Sequence, residues 1–187
     1  LKGRLGQDEV TIAKVLQQNG YATGCVGKWH LGAFSPYLPT DHGFDTYFGI
    51  PYSNDMSRKE QIKLRQHKYP YEYIIYEQEK ELEREPQQYN LTQQVTEAAI
   101  RYIKSNENSP FFLYLAHPMP HMPVYASTDF QGKSARGKYG DTVEELDWSV
   151  GQILQTLKSE GLDKNTLVIF TSDNGPWLLC KQEGGSP

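Results

Sequence analysis

The sequence predicts an α/β fold in which a mostly parallel sheet is covered by helices on both faces. Helical and strand patterns alternate along the 187 residues, and the strand candidates are continuously apolar instead of alternating in polarity. Such strands are typical of parallel sheets, because both faces of these sheets are covered. The longest apolar run, Phe111–Ala116, has six residues. A membrane-spanning helix needs about 20, so no segment is expected to cross a bilayer.

The first helix is predicted over residues 8–19. Its apolar positions fall three residues apart on one helical face: Val10, Ala13 and Leu16. Gly20 follows the helix and can adopt the left-handed conformation in which many helices end. Residues 21–27 are then a short strand candidate.

The second helix is predicted over residues 92–106. The residues expected to be buried on it follow the i, i+3, i+4, i+7 pattern: Val95, Ala98, Ala99, Tyr102 and Ile103. Pro110 separates this helix from Phe111–Ala116, which is the next strand candidate.

The third helix is predicted to begin at Thr142, because Thr142 and Glu145 have the spacing of a capping box, and to extend to Gly161. The apolar residues expected to be buried on it are Val143, Leu146, Val150, Ile153, Leu154 and Leu157. Residues 166–171 are rich in β-forming residues and are predicted to be a further strand.

Charged residues are concentrated in one segment, and the two signs are balanced there. Residues 57–86 carry seven basic and seven acidic side chains, a balance that predicts a solvated surface insertion. Over the whole chain, 19 basic residues stand against 23 acidic ones, and the net charge is −4. Nucleic-acid binding depends on a basic surface that displaces counterions, so a nucleic-acid partner is not expected.

Three polar clusters directly follow predicted strands, where ligands bind in parallel sheets. The first is residues 27–32, in which glycines flank Lys28 and His30. If strand geometry continues, these two side chains share a face. They would then suit an oxyanion, with Lys28 as a point charge and His30 as a proton carrier or donor. The alternative is a surface turn without a ligand.

The second cluster is residues 117–123, a loop with three prolines that carries His117 and His121. This density of prolines excludes the regular helix on which two histidines four residues apart could bind zinc. One histidine is therefore expected to be catalytic or to contact an anion. The alternative is a packed loop whose imidazoles bond to backbone carbonyls.

The third cluster is residues 172–175. Asp173 and Asn174 offer a carboxylate and an amide oxygen, which are hard ligands suited to Ca²⁺ or Mg²⁺. The same Asp-Asn-Gly sequence is also an ordinary turn signal. A complete metal site would need further oxygen ligands from elsewhere in the protein.

Two smaller features concern modification. Asn90-Leu91-Thr92 is a glycosylation sequon compatible with secretion, and Thr92 could equally cap the second helix. The two cysteines, Cys25 and Cys180, leave open one disulfide, two free thiols or pairing with other segments.

Taken with the surrounding motifs, the clusters resemble the sulfatase family, in its arylsulfatase and N-acetylgalactosamine-6-sulfatase branch. The motifs that carry the resemblance are residues 20–32, 41–45, 49–53, 110–114, 121–125, 139–141 and 170–175. The first of these is similar to the family's second signature, which is a specific motif. All of them follow the order of the family, and the charged segment lies outside the similarity.

The resemblance implies an alkaline-phosphatase-like fold, present only in part, with residues 1–187 belonging to a single catalytic domain. It implies hydrolysis of sulfate esters of sugars or of aryl sulfates. Lys28 and His121 would contact the sulfate, and His121 would also assist the leaving alcohol. His30 would bond to a formylglycine hydroxyl and help to expel sulfate. Asp173 and Asn174 would bind calcium, with magnesium as an alternative.

The nucleophile of the family is a formylglycine made from a Cys or Ser in the first signature, and the chain contains no Cys-x-Pro-x-Arg pattern. The resemblance therefore places this residue in an upstream segment, and we expect the isolated 187 residues not to turn over sulfate esters. It also implies a secreted, lysosomal or periplasmic protein that is glycosylated and can form a homo-oligomer.

Two alternatives to a sulfatase are open at this point. One is a phosphodiesterase or phosphonate hydrolase of the same superfamily, which would carry an unmodified Thr as nucleophile. The other is a non-catalytic binder of sulfated glycans that retains Lys28 and His121.

Overall fold

The fold was obtained as a computed structural model, which describes residues 3–63, 72–176 and 178. The strands are β1 (Ala22–Lys28), β2 (Thr46–Ile50), β3 (Ile74–Glu77), β4 (Lys80–Arg84) and β5 (Phe111–Ala116). They form one sheet in the order β4-β3-β2-β1-β5. The strands β2, β1 and β5 are parallel, whereas β3 and β4 add an antiparallel hairpin beside β2.

Helices cover both faces of this sheet. They are α1 (Ile12–Gln18), α2 (Arg58–Lys63), α3 (Leu91–Ser105) and α4 (Gly137–Ser159). On one face, α3 and α4 pack over Val26, Phe48 and Ile75. On the other face, Ala13 of α1 packs with a cluster that includes Phe44. The α/β architecture predicted from the sequence is confirmed, with a mixed sheet because of the hairpin.

Two glycines let the parallel strands approach closely just before they end. Gly27 of β1 is paired in register with Gly49 of β2 and with Ala116 of β5. A Cβ atom on Gly27 would lie 1.9 Å from the carbonyl oxygen of Ala116, and one on Gly49 would lie 1.9 Å from the carbonyl oxygen of Gly27. Their φ angles of 113° and 151° are also ones that side chains disfavour. Only glycine therefore fits at these two positions.

The hairpin lies within the charged segment 57–86. Tyr73, Ile75 and Tyr76 are buried, whereas most of β4 is exposed. The segment thus extends the sheet with apolar side chains, whereas most of its described charges face solvent and Glu60 is buried. Strands of four and five residues are too short to produce a clear period, which explains why sequence patterning did not reveal them. Residues 64–71 lie outside the described part.

The helix α1 is shorter than predicted. Its N-cap is Thr11, whose hydroxyl accepts a hydrogen bond from the backbone N–H of Lys14 at 3.0 Å. Val10 therefore precedes the helix and is 72% exposed, so its predicted place on the buried face is wrong. Ala13 is fully buried as expected.

The helix α3 confirms the prediction at every position, since its five expected core residues are all buried. The helix α4 does not. It begins at Gly137, so Thr142 lies inside it and donates to the carbonyl of Lys138 instead of forming a cap. Val143 and Leu154 are exposed, and the buried face is largely polar.

That polar face of α4 holds the loop that precedes the helix. The carboxylate of Asp141 accepts hydrogen bonds from three successive backbone N–H groups, those of residues 132–134, at 2.8–3.1 Å. Glu145 is fully buried and accepts from the backbone N–H of Ser127 at 2.9 Å. Buried polar groups need such partners, so this face serves the loop as well as the apolar core.

The strand predicted at residues 166–171 is not formed in the described structure. The segment has no regular secondary structure, and within residues 3–63, 72–176 and 178 no strand pairs with it. Leu167 is 85% exposed and Phe170 is 79% exposed. The composition favours a strand, but a strand exists only where a neighbour accepts its backbone hydrogen bonds.

Two findings bear on the remaining sequence predictions. Cys25 is a free thiol buried in the core, where burial raises its pKa, whereas Cys180 lies outside the described residues. In the part of the chain that is described, no helix has the length and apolarity to cross a membrane.

Candidate active site

The carboxyl ends of the three parallel strands lie at one edge of the sheet. Lys28 ends β1 beside Ile50 of β2, and Gly27 pairs with Ala116 at the end of β5. The loops that follow these strands therefore meet, as parallel topology requires. They carry His30, Ser53 and His121.

The segment after β1 is held by continuation of the β1–β2 ladder. The backbone N–H of Trp29 donates to Ile50 at 3.0 Å, and that of His30 donates to Pro51 at 3.1 Å. The indole N–H of Trp29 donates to the carbonyl of Tyr37 at 2.9 Å. His30 itself has a φ of 58°, which is uncommon for a residue with a side chain and is found often at functional sites.

Charged and titratable residues from all three predicted clusters act on one another electrostatically, as members of one site would. They are Lys28, His30, His121 and Asp173. Burial lowers the pKa of Lys28, and the carboxylates of Asp173 and Asp55 oppose this effect. Burial also lowers the pKa of His30, and the charges of Lys28 and His121 lower it further, against Asp55 and Asp173. His30 is therefore neutral near pH 7.

The ring of His121 has a defined orientation. Its Nδ1 lies 2.6 Å from the carbonyl oxygen of Met122 and 3.0 Å from Oγ of Ser53. A carbonyl oxygen only accepts, so Nδ1 carries a proton and Nε2 is the basic nitrogen of the neutral ring. The loop is held further by Asn54, whose side-chain N–H₂ donates to the carbonyl of Pro123 at 2.8 Å.

Ser53 and Asn54 are site residues to which the sequence assigned no role, although Ser53 ends the motif of residues 49–53. The strand β2, which places them at the edge that carries the first two clusters, was not predicted from the sequence. Asn54 is fully buried and also donates to Gln88 at 2.9 Å. Its role is to fix the loop of His121, whereas Ser53 touches the imidazole itself.

His117 is bonded to Ser149 of α4, which in turn contacts Thr96 of α3. Thr96 donates its hydroxyl proton to the carbonyl of Thr92 at 2.7 Å, so Ser149, 2.5 Å away, must be the donor toward Thr96. Ser149 then has no second proton, and Nε2 of His117 must donate to it over 3.2 Å. Burial lowers the pKa of His117 to about 4. This histidine is a neutral structural donor.

Asp173 and Asn174 lie in an exposed bend after residues 166–171. The hydroxyl of Ser172 donates to the carbonyl of Asn174 at 2.6 Å, and the side-chain N–H₂ of Asn174 donates to the carbonyl of Gly175 at 2.7 Å. Their hard oxygens fit the chemistry of Ca²⁺ or Mg²⁺. In the described ranges, no three His, Cys, Asp or Glu side chains converge on a metal position, so the predicted role of these two residues as metal ligands stays a prediction.

The sequon at Asn90 lies at the start of α3, where Asn90 is exposed. Thr92 lies inside the helix and is buried, so the alternative that it caps the helix is wrong.

The family model for sulfatases matches residues 2–184. The chain belongs to the sulfatase family. N-acetylgalactosamine-6-sulfatase of Mus musculus is 42% identical over 195 residues, which cover 100% of this chain and 37% of that protein. Arylsulfatase A of Bos taurus is 36% identical over 200 residues, covering 98% of this chain and 39% of that protein. The sulfatase chain thus spans little more than a third of these relatives, and the resemblance predicted from its motifs is confirmed.

Solved sulfatase structures share the fold. The sulfatase PsFucS1 of Pseudoalteromonas sp. superposes with a TM-score of 0.78 at 26% identity, over 96% of this chain and 40% of that one. Ps i-CgsB, solved in complex with k-i-k-neocarrahexaose, superposes with a TM-score of 0.68 at 30% identity, over 87% of this chain and 39% of that one. The expected alkaline-phosphatase-like fold, present in part, is confirmed.

Proposed function

We propose that the intact protein containing this chain hydrolyses sulfate esters of sulfated sugars or aryl sulfates. The observation that carries the proposal is the meeting of Lys28, His30 and His121 at the carboxyl edge of the parallel strands, in a chain of the sulfatase family. The names of its relatives, N-acetylgalactosamine-6-sulfatase and arylsulfatase A, support both substrate classes.

Hydrolysis of a sulfate ester requires preorganised positive groups, because cleavage spreads negative charge over the sulfuryl oxygens and the leaving oxygen. Lys28 supplies a point charge for the sulfuryl oxygens. His121, held through Nδ1, presents Nε2 and in its protonated form donates to the leaving alcohol. His30 is neutral and suited to accept a proton. A formylglycine outside this chain would supply the nucleophile, and Ca²⁺ or Mg²⁺ held in part by Asp173 and Asn174 would supply Lewis-acid stabilisation.

The test uses the intact protein with nitrophenyl sulfate, sulfated N-acetylgalactosamine and bis-nitrophenyl phosphate. We expect hydrolysis of the sulfates, and a loss of about 100-fold or more in kcat/KM for Lys28→Gln. The matched control is Lys80→Gln on the exposed strand β4, which should keep full activity. Preference for the phosphodiester would favour the phosphodiesterase or phosphonate hydrolase. Binding of sulfated sugars without any turnover would favour the non-catalytic binder.

The metal proposal has a readout that does not depend on turnover. Calorimetric titration of the chelator-treated intact protein with Ca²⁺, and then with Mg²⁺, should show binding that Asp173→Asn weakens about tenfold or more. Equal affinity in the variant would contradict a role of Asp173 as a ligand.

We further propose that the protein is secreted, lysosomal or periplasmic, glycosylated at Asn90 and able to form a homo-oligomer. The exposure of Asn90 supports the glycan. Glycosidase treatment should increase the electrophoretic mobility of the wild type and leave Asn90→Gln unchanged, and light scattering of the intact protein measures its oligomeric state.

A further inference from the structure

Glu60 of α2 is a buried carboxylate in the middle of the charged segment 57–86. Only 6% of its side chain is exposed, whereas the other acidic residues of this segment are exposed or half-exposed. A carboxylate is buried only at a large cost unless other groups bond to it. The contacts of Glu60 therefore show what its burial serves.

Two donors reach the same oxygen of Glu60. The hydroxyl of Tyr125 donates to Oε1 at 2.7 Å, and the ammonium of Lys63 donates to it at 2.5 Å. Burial and the bond to Glu60 raise the pKa of Tyr125 to about 12, so the phenol keeps its proton and stays a donor. The side chain of Lys63 is 62% exposed, and ion pairs at such a surface contribute little. The bond from Tyr125 is the stronger link, because hydrogen bonds to a carboxylate exceed those between neutral groups.

Tyr125 belongs to the loop that carries His121. It lies four residues after His121, in the connection that follows β5. Three hydrogen bonds join this loop to the segment that runs from the end of β2 into α2: Ser53 with the ring of His121 at 3.0 Å, Asn54 with the carbonyl of Pro123 at 2.8 Å, and Glu60 with the hydroxyl of Tyr125 at 2.7 Å. The bond at Glu60 thus completes a set of contacts that spans the loop from residue 121 to residue 125.

The ring of Tyr125 is fixed as well as its hydroxyl. It packs edge to face against Tyr89, with the ring centroids 4.9 Å apart and the planes at 90°. Such aromatic pairs are held by ring geometry and not by the hydroxyl. The Tyr125→Phe variant therefore keeps this packing and removes only the bond to Glu60.

We propose that Glu60 is a positioning residue of the reaction, which holds the loop of His121 through Tyr125 and so keeps Nε2 of His121 at the leaving oxygen. The proposal rests on the proposed function and adds to it a residue that touches neither substrate nor metal. A displacement of about 1 Å in a catalytic group can lower the rate about 100-fold, so a bond four residues away from the imidazole affects kcat.

The experiment measures kcat of the intact protein for sulfated N-acetylgalactosamine and for nitrophenyl sulfate. We expect Glu60→Ala and Tyr125→Phe each to lower kcat for the sulfated sugar about tenfold or more. The loss should be smaller for nitrophenyl sulfate, whose leaving group needs less protonation. Glu60→Gln keeps an acceptor oxygen for Tyr125 and should lose less than Glu60→Ala. Matched controls are Glu97→Ala, exposed on α3, and Tyr21→Phe, exposed before β1, which should keep the wild-type kcat.

The same substitutions in a His121→Asn background separate positioning from a general structural role. With no imidazole to hold, Glu60→Ala and Tyr125→Phe should cause no further loss of kcat, because groups that act as a unit are not additive. A full further loss in this background overturns the proposal, since it means that the bond supports the fold as a whole. Wild-type kcat of Tyr125→Phe on the sulfated sugar also overturns it.

The proposed function fails instead if the wild type hydrolyses no sulfate ester. Amide hydrogen exchange, read by mass spectrometry on the peptide of residues 117–127, then tests the positioning independently of turnover. We expect Glu60→Ala and Tyr125→Phe to speed exchange in this peptide about tenfold and to leave β1 unchanged. Equal exchange in wild type and variants overturns the proposal.

Discussion

The candidate site has a histidine side, which carries His30 and His121, and an acidic side, which carries Asp173 and Asn174. The two sides differ in the contacts that hold them in place. On the histidine side, the ladder after β1 fixes His30, and Ser53, Met122 and Asn54 fix the loop of His121. On the acidic side, Asp173 follows an exposed segment that pairs with no strand in the described ranges. Hydrogen bonds within the described residues therefore preorganise the histidine side, whereas no strand pairing of this kind holds the segment before Asp173 in the described ranges.

The largest expected effect is on the histidine side. His121→Asn removes the proton donor to the leaving oxygen, and such donors contribute about 10²–10⁴-fold. We expect a loss of this size in kcat of the intact protein for a sulfated sugar. The loss should be smaller for nitrophenyl sulfate, because its leaving group needs less protonation.

A uniform loss on both substrates would contradict the assignment of His121 as the acid. Lys80→Gln, on the exposed strand β4, again serves as the control and should retain the wild-type kcat on both substrates.

The paired glycines near the ends of β1 and β2, Gly27 and Gly49, are expected to tolerate no side chain. Gly27→Ala would place a methyl group 1.9 Å from a backbone oxygen at a positive φ. We expect the free energy of unfolding to fall by more than about 3 kcal/mol in urea denaturation. Gly151→Ala is the control, since nothing lies within 4 Å and alanine favours the helix by about 0.5–1 kcal/mol. Similar midpoints for the two variants would refute the close approach.

His117, which donates to Ser149 of α4, predicts a pH effect. The folded protein keeps His117 neutral down to about pH 4, whereas the unfolded chain protonates it near pH 6.5. Its contribution to stability is therefore complete above pH 6.5 and is lost as the pH falls to 4, by roughly 3 kcal/mol. Urea denaturation between pH 6.5 and pH 4 should show that the His117→Asn variant lacks this pH-dependent part of the free energy of unfolding. An identical pH slope in both proteins would contradict the buried neutral ring.

The smallest effect is expected on the acidic side. Leu167 is 85% exposed, and exposed substitutions usually change stability by less than about 0.5 kcal/mol. Leu167→Ser should therefore leave the urea midpoint of the intact protein unchanged. A large loss would show that this segment packs against other parts of the intact protein, and the contrast between the two sides would then disappear.

Sequence patterning identified those parts whose order is local. The bounds of β5 follow from a continuous apolar run, and the buried face of α3 follows from apolar periodicity. The buried face of α4 could not be predicted in the same way, because Asp141 and Glu145 are buried by bonds to a loop that precedes the helix. Their burial depends on tertiary contacts, which a helical period does not report.

In the candidate site too, some residues could be predicted from the sequence, whereas others depend on tertiary contacts. Lys28 and His30 follow a recognisable strand, and the motif resemblance assigned their roles before any geometry was known. No role was assigned to Ser53, which belongs to the motif of residues 49–53, or to Asn54, because they lie in a turn-like stretch with no period and only the register of β1 with β2 brings them to the edge. The segment 166–171 misled the prediction because its composition favours a strand irrespective of whether a neighbour is present.

The glycine pair at the ends of β1 and β2 also constrains how this protein can diversify. A change at Gly27 or Gly49 meets backbone that cannot move without its neighbour, so a lineage cannot alter the floor of the site one substitution at a time. In the loop after β1, Gly32 meets a similar restriction, since a Cβ atom there would lie 2.6 Å from the carbonyl oxygen of Tyr37, whereas Phe34 is exposed. Substrate range can therefore drift at exposed loop positions while the reacting groups stay in the same place.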